Sequence, residues 1–252
     1  MKKAILLAGG TGSRLLPFTK LINKHLMPII DKPIIDYPIN TLVGMGVKYL
    51  TVVLGGANFA QVVNYLENGS KFGLNINYVF QGEPKGIAEA INLCQPYVED
   101  EEAFAVILGD NLYTKPINWP TLGGPGGHDP FSAKITLYRH PDLYRFGVAS
   151  IDQTRKIVRI EEKPKTLDES LENYAITGCY QFNRDYFNYY KNLKLSARGE
   201  YEIVDIITQY LKNGDLQYFI IDGCWSDAGT FESIEEVRTM LKYLTPVKNG
   251  NT

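Results

Sequence analysis

Cysteine is scarce in this chain, and its pattern excludes a disulfide scaffold. The three cysteines, Cys94, Cys179 and Cys224, form no CxxC pair and leave an odd count, so they read as reduced thiols of a cytoplasmic protein. Histidine is equally sparse. His25, His128 and His140 lack metal-ligand spacing, which argues against zinc chemistry. Long apolar runs are missing as well: Ala4 to Ala8 is too short for a signal peptide or a membrane span, and glycines end it. Nor is there an excess of one charge. A formal net charge of -2 argues against general binding to nucleic acid or an anionic membrane. An anionic ligand would need a local cluster of cations and backbone N–H groups.

What is present is an ordinary globular composition, 44% hydrophobic and 21% charged, with enough length for a proper core. Apolar runs at Lys3 to Leu7, Tyr49 to Leu54, Ile76 to Phe80 and Ala103 to Leu108 predict strands. Helical stretches are expected from near Pro33 to Gly44, from Asn58 to Glu67 and from Ile87 to Leu93. This alternation predicts an α/β fold, a Rossmann-like mixed, mainly parallel sheet with helices on both faces. The second half carries shorter predicted strands at Ala133 to Tyr138, Gly147 to Ile151, Lys156 to Ile160 and Tyr174 to Phe182. Helices at Arg184 to Lys191 and Glu202 to Lys212, a last core strand at Leu216 to Ile221 and a closing helix at Thr230 to Leu244 complete the reading. The Gly- and Pro-rich stretch Leu122 to Pro130 reads as a surface loop. No linker divides the chain, so residues 1–252 are expected to form one domain. Its first half, to about residue 115, would serve a nucleotide, and the remainder would add substrate contacts.

The most informative segment runs from Leu7 to Leu15, with Gly9, Gly10 and Gly12 directly after the first strand. Glycines there let backbone N–H groups approach phosphate oxygens; Arg14 can fork onto a phosphate, and Lys24 adds a point charge. Taken alone, such a loop could equally be a flexible turn with two solvated cations. Two better-known phosphate loops are excluded: the dinucleotide fingerprint needs glycine at position 15, which is leucine, and the ATPase loop needs Gly-Lys-Ser or Gly-Lys-Thr where this chain has Ser13-Arg14. Asp110 falls at the carboxyl end of a predicted strand, where ligands of open α/β sheets bind. A carboxylate facing a triphosphate there suits Mg²⁺, although a cap or turn aspartate is the common meaning of such a residue. Asp227, between a predicted strand and helix, is a second candidate for the same edge. Glu162 and Lys163 offer a carboxylate for hydroxyls and an ammonium for phosphate, or else a solvated charged turn. Gln81 can both donate to and accept from a pyrimidine edge.

In this order the segments resemble the sugar-nucleotide pyrophosphorylases, a nucleotidyltransferase family. The likeness runs from Gly9 to Leu15, through Lys24 to Pro28, Asp31 to Pro33, Gln81 to Ala90, Leu108 to Asn111, Arg145 to Val148, Glu161 to Pro164, Tyr174 to Gly178 and Arg198 to Ile203, to Trp225 to Thr230. The resemblance implies small-molecule partners, dTTP or UTP with a sugar 1-phosphate, and Mg²⁺ as cofactor. It assigns Gly9, Gly10, Gly12 and Arg14 to the triphosphate, and Lys24 to phosphate at the reacting centre. Gln81 and Gly86 would take the base, and Asp110 with Asp227 the metal. Gly147, Glu162 and Ile176 would line the sugar pocket, with Glu200 a further pocket residue, and Lys163 would grip the sugar phosphate. Ser13 and Phe146 depart from the threonine and tyrosine of many members. Many relatives also continue past the Thr230 helix with helices that build a subunit interface and a feedback site, which leaves a homo-oligomer and allosteric control open here. A catalytically inactive sensor on the same fold is the rival from another class, and the retained set Arg14, Lys24, Asp110, Lys163 and Asp227 argues against it.

Overall fold

The computed structural model describes residues 1–56, 58–119 and 132–244. A nine-stranded mixed sheet forms its centre. In the first half β1 (Lys3–Ala8), β4 (Tyr49–Leu54), β5 (Asn75–Phe80) and β6 (Phe104–Leu108) lie in the order β5-β4-β1-β6, all parallel. Their apolar runs are continuous because both faces are covered, and the two-residue period of a strand sorts each run between two cores. Ile5, Leu7, Val53, Phe104 and Val106 face one layer with Ala88, Ile91, Tyr186, Ile206 and Tyr210. Ala4, Leu6, Val52, Leu54, Ala105 and Ile107 face the other, with Ile39 and Leu42 of α1 (Asp36–Gly44) and Val62 and Leu66 of α2 (Phe59–Leu66).

The second half turns antiparallel around one long strand, β11 (Glu172–Phe182), which pairs with β6, β8 (Ala133–Tyr138) and β9 (Gly147–Ile151). A register shift between Ile176 and Tyr180 lets this strand serve several partners. The parallel order expected from the first half therefore holds as far as β6, gives way at β11 and returns in the parallel pair β8–β12, which makes the sheet mixed as expected. β12 (Leu216–Ile220), expected as a core strand, lies at the sheet edge among the described residues, paired there with β8 alone and half-exposed along its length. β10 spans Ile157–Glu162, two residues past the expected end, so Glu162 belongs to a strand rather than to the turn after it.

Helix α1 begins at Asp36, not near Pro33. Pro33 instead pairs with Pro28 in a two-residue ladder of β2 (Pro28–Ile29) and β3 (Lys32–Pro33). The N–H groups of Ile34 and Ile35 bond back to the carbonyls of Met27 (3.0 Å) and His25 (2.9 Å), which keeps the backbone out of the helical turn until Asp36. The expected loop at Leu122 to Pro130 lies outside the described residues. No helix among the described residues is long and apolar enough to cross a membrane.

Two three-residue strands escape sequence patterning and matter most for the site. β7 (Asn111–Tyr113) pairs antiparallel with β13 (Trp225–Asp227), Asn111 opposite Asp227. A third apolar cluster lies beneath them: Leu15, Leu112 and Ala228 pack with Ile234 and Val237 of α7 (Phe231–Leu244). Leu15 is fully buried, a contribution of roughly 1.5–3 kcal/mol that pins the end of the glycine loop beside β13.

Candidate active site

The parallel neighbours β1 and β6 end side by side, with Leu7 in register with Leu108 and Gly109 N–H donating to the Leu7 carbonyl at 2.9 Å. From there the chain leaves one strand through Gly9 to Arg14 and the other through Gly109 and Asp110. This is the crevice outside the strand ends where α/β sheets take ligands. Gly12 turns the loop with a left-handed φ of 66°. Gly10 lies against the Lys24 side chain, and Gly9 against Gln81 and Gly55.

Lys24 Nζ forms a 2.6 Å ion pair with Asp110 Oδ2, and both side chains are only 13% exposed. Burial alone would raise the Asp110 pKa. The nearby charge of Lys24, with hydrogen bonds from Lys24 and Asn111, holds it well below the usual carboxylate range. The neighbouring His25 is kept neutral, pushed down to about 3 by burial and by Lys24. Asp227 behaves in the opposite sense: burial, then repulsion from Asp110, raises it to about 6 against the pull of Arg145, Arg14 and Lys24. Arg145 Nη2 lies 3.5 Å from Asp227 Oδ1. Arg14 presses on Gly229, where a Cβ would stand 2.7 Å from its Nη2.

The residues expected on the sugar side are set by register. Glu162 sits opposite Gly147 in the β9–β10 ladder, and a Cβ on Gly147 would come 2.7 Å from Val204 Cγ1 and 3.3 Å from Glu162 Oε2. Lys163, with a φ of 44°, donates its N–H to the Phe146 carbonyl at 2.9 Å. Burial, then the charge of Glu202, raises the Glu162 pKa, opposed by Arg198 and Lys163. These groups converge on a cavity of about 470 Å³ lined by Arg14, Asp110, Asp227, Glu162, Lys163 and Ile176, among others. Gly10 and Lys24 line a smaller neighbouring one of about 220 Å³. A larger groove of about 710 Å³ opens at the opposite, amino edge of the sheet by Lys2 and Ala103. It lies away from the glycine loop and the paired carboxylates.

The model of the nucleotidyl transferase family matches residues 3–242. The chain belongs to the nucleotidyl transferase family. A glucose-1-phosphate thymidylyltransferase of Neisseria meningitidis serogroup A is 33% identical over 98% of this chain and 85% of its own length. The enzyme of that name in Mycolicibacterium smegmatis is 34% identical over 92% of this chain and 79% of its own. A solved structure from Bacillus anthracis, provisionally assigned the same name and holding sucrose, is 38% identical with a TM-score of 0.84 over 98% of both chains. A UDP-glucose pyrophosphorylase solved with UDP-glucose has a TM-score of 0.81 over 97% of this chain and 100% of its own; at 24% identity this is a likeness of fold.

In this nucleotidyltransferase, Gln81 and Gly86 are not among the residues lining the 470 Å³ cavity, though Gly86 directly precedes Ile87, which is, and Gln81 lies against Gly9 of the glycine loop. The Gln81 amide donates to Glu89 at 2.9 Å, and Gly86 packs on the backbone of Tyr201, next to Glu200. Four residues have a place at the site that the sequence left without a role. Asn111, almost fully buried, donates to Asp110 Oδ1 (3.0 Å) and accepts from Trp225 Nε1 (2.7 Å) and Gly178 N–H (2.9 Å). Trp225 closes the cavity wall with Phe146, their ring centroids 5.1 Å apart. Arg145 reaches Asp227, and Arg198 reaches Glu162 at 3.0 Å and Glu202 at 2.7 Å. Arg145, Asn111, Trp225 and Arg198 all lie within the family-like segments, and that was the only sign of them in the sequence. Among the described residues no group of three or more His, Cys, Asp or Glu could hold a metal. Asp227, raised by burial and then by repulsion from Asp110, still makes with Asp110 a pair of carboxylates that fits a magnesium ion, which takes one or two protein carboxylates and completes its shell with phosphate and water.

Proposed function

We propose that this nucleotidyltransferase is a glucose-1-phosphate thymidylyltransferase, converting dTTP and glucose 1-phosphate to dTDP-glucose and pyrophosphate. One observation carries the reading: a single cavity is lined by Arg14, Asp110 and Asp227 and also by Glu162 and Lys163. A phosphate oxygen of the sugar phosphate attacks the α-phosphorus of the triphosphate in line, and the bond from that phosphorus to the bridging oxygen of pyrophosphate breaks. The nucleophile is ionised at neutral pH, so the site needs no general base, in keeping with a His25 that is buried and neutral. The obstacle is repulsion between two anions. Arg14 and the N–H groups of Gly9 to Gly12 would hold the outer phosphates, and Lys24 the α-phosphate. Lys163 would anchor the sugar phosphate while Glu162, steadied by Arg198, accepts from sugar hydroxyls. Asp110 and Asp227 would hold Mg²⁺, which supplies charge neutralisation on the phosphate oxygens when bound. Gln81 would read the base edge. Fixed charges in a half-closed cavity are the dominant form of catalysis for such a reaction.

The buried, unpaired thiols of Cys94 and Cys179 suit a reducing compartment, and we place the enzyme in the cytoplasm. The test is pyrophosphate release from dTTP and from UTP across a panel of sugar 1-phosphates. Turnover is expected with dTTP and glucose 1-phosphate. Thymine and uracil differ by one methyl, a contrast of about 1–3 kcal/mol, so measurable use of UTP is also expected. No pyrophosphate from any pair would refute the reading and favour a catalytically inactive sensor.

A further inference from the structure

Both carboxylates of the metal pair are already matched by the chain's own cations. Lys24 Nζ holds Asp110 at 2.6 Å in a nearly dry ion pair. Arg145 holds Asp227 at 3.5 Å, and Arg14 lies beside it against Gly229. Three formal positive charges thus face two negative ones. A free divalent ion would have to break the Lys24–Asp110 pair and then sit among three cations, in a setting where repulsion is poorly screened. A nucleoside triphosphate reverses that balance, because it gives the displaced ammonium new anionic partners.

We propose that Lys24 is an internal stand-in for the divalent cation. It occupies Asp110 in the nucleotide-free protein and releases it when a triphosphate enters, so metal is taken up together with nucleotide and not as the free ion. This rests on the metal-pair reading above. The geometry makes the exchange a side-chain motion. The backbone of the turn Lys24–Leu26 is fixed by the Asn23 side chain, whose Oδ1 accepts from His25 N–H at 3.0 Å. The ammonium already lies beside the glycine loop, 3.4 Å from where a Gly10 Cβ would stand. A compact charge on a flexible four-carbon stem can swing between two partners; a rigid guanidinium is less suited to this.

The test is Mn²⁺ binding, read by electron paramagnetic resonance without nucleotide, for wild type, Lys24→Met and the double variant Lys24→Met/Asp110→Asn. Wild type is expected to bind weakly, Lys24→Met roughly tenfold or more tightly, and the double variant to lose that gain. Equal affinity in wild type and Lys24→Met overturns the proposal while leaving the metal pair standing. A gain in Lys24→Met that survives Asp110→Asn overturns the metal-pair reading itself. Should Lys24→Met fail to fold, Lys24→Gln keeps an amide donor for Asp110 without the charge, and the same comparison decides.

Discussion

Adding one methyl group at Gly147 should close the sugar side of the site. An alanine Cβ there would stand 2.7 Å from Val204 Cγ1, 3.3 Å from Glu162 Oε2 and 3.7 Å from Ile176 Cδ1. Val204 is a stiff, buried side chain at the start of α6 (Ile203–Lys212) and has little room to retreat. Overpacking of this kind costs about 1–3 kcal/mol, which for a chain of this size lowers Tm by roughly 2–12 °C. The 3.3 Å contact pushes on Glu162, the carboxylate assigned to the sugar hydroxyls. Gly147→Ala is therefore expected to raise the KM for glucose 1-phosphate roughly tenfold or more, with the KM for dTTP within about twofold of wild type. Steady-state kinetics varying each substrate, with a thermal melt, reads all three quantities. Val204→Ala in the same background removes the 2.7 Å clash and should recover part of the Tm, while the KM stays high because the Glu162 contact persists. An unchanged KM for glucose 1-phosphate, or equal rises for both substrates, would refute the reasoning.

Three further outcomes are expected. Asp110→Asn and Lys163→Ala should each cut turnover by about 10²-fold or more, measured by coupled pyrophosphate release; near-normal rates in both would remove them from the site. Asp227, raised to about 6, favours the fold while protonated. That contribution is complete at low pH and fades as pH rises through about 6, so neutral pH keeps the site charged at some expense of stability. The kcat/KM for dTTP with Mg²⁺ should correspondingly fall below about pH 6, and the slow variant Asp227→Asn should lack that limb. EDTA should abolish activity and excess Mg²⁺ restore it, with a colorimetric phosphate assay after pyrophosphatase as the readout.

Much of the fold was legible because buried parallel strands are long apolar runs. Lys3 to Leu7, Tyr49 to Leu54 and Ala103 to Leu108 leave no other reading. The glycine loop and Asp110 were legible for a related reason: each follows such a strand directly. Asn111–Tyr113 and Trp225–Asp227 were not legible as strands, since three residues carry no periodicity and their polar side chains pair across 114 positions, as Trp225 does with Asn111. The antiparallel turn of the sheet at β11 depends on long-range pairing that no local pattern records. Arg145 and Arg198 reach the site through Asp227 and Glu162, partners 82 and 36 positions away, which no local pattern records. Lys24 was read as a phosphate ligand, but its present partner, Asp110, belongs to a different strand end and needed the fold to be seen.

A crystal structure soaked with a thymidine nucleotide and glucose 1-phosphate tests the central claim most directly. The expected result is the nucleotide's phosphates over Gly9 to Arg14, the sugar against Gly147 and Glu162, and Lys163 on its phosphate. Ligand bound instead in the groove at the amino edge, with Arg14 and Lys163 touching neither molecule, would contradict it.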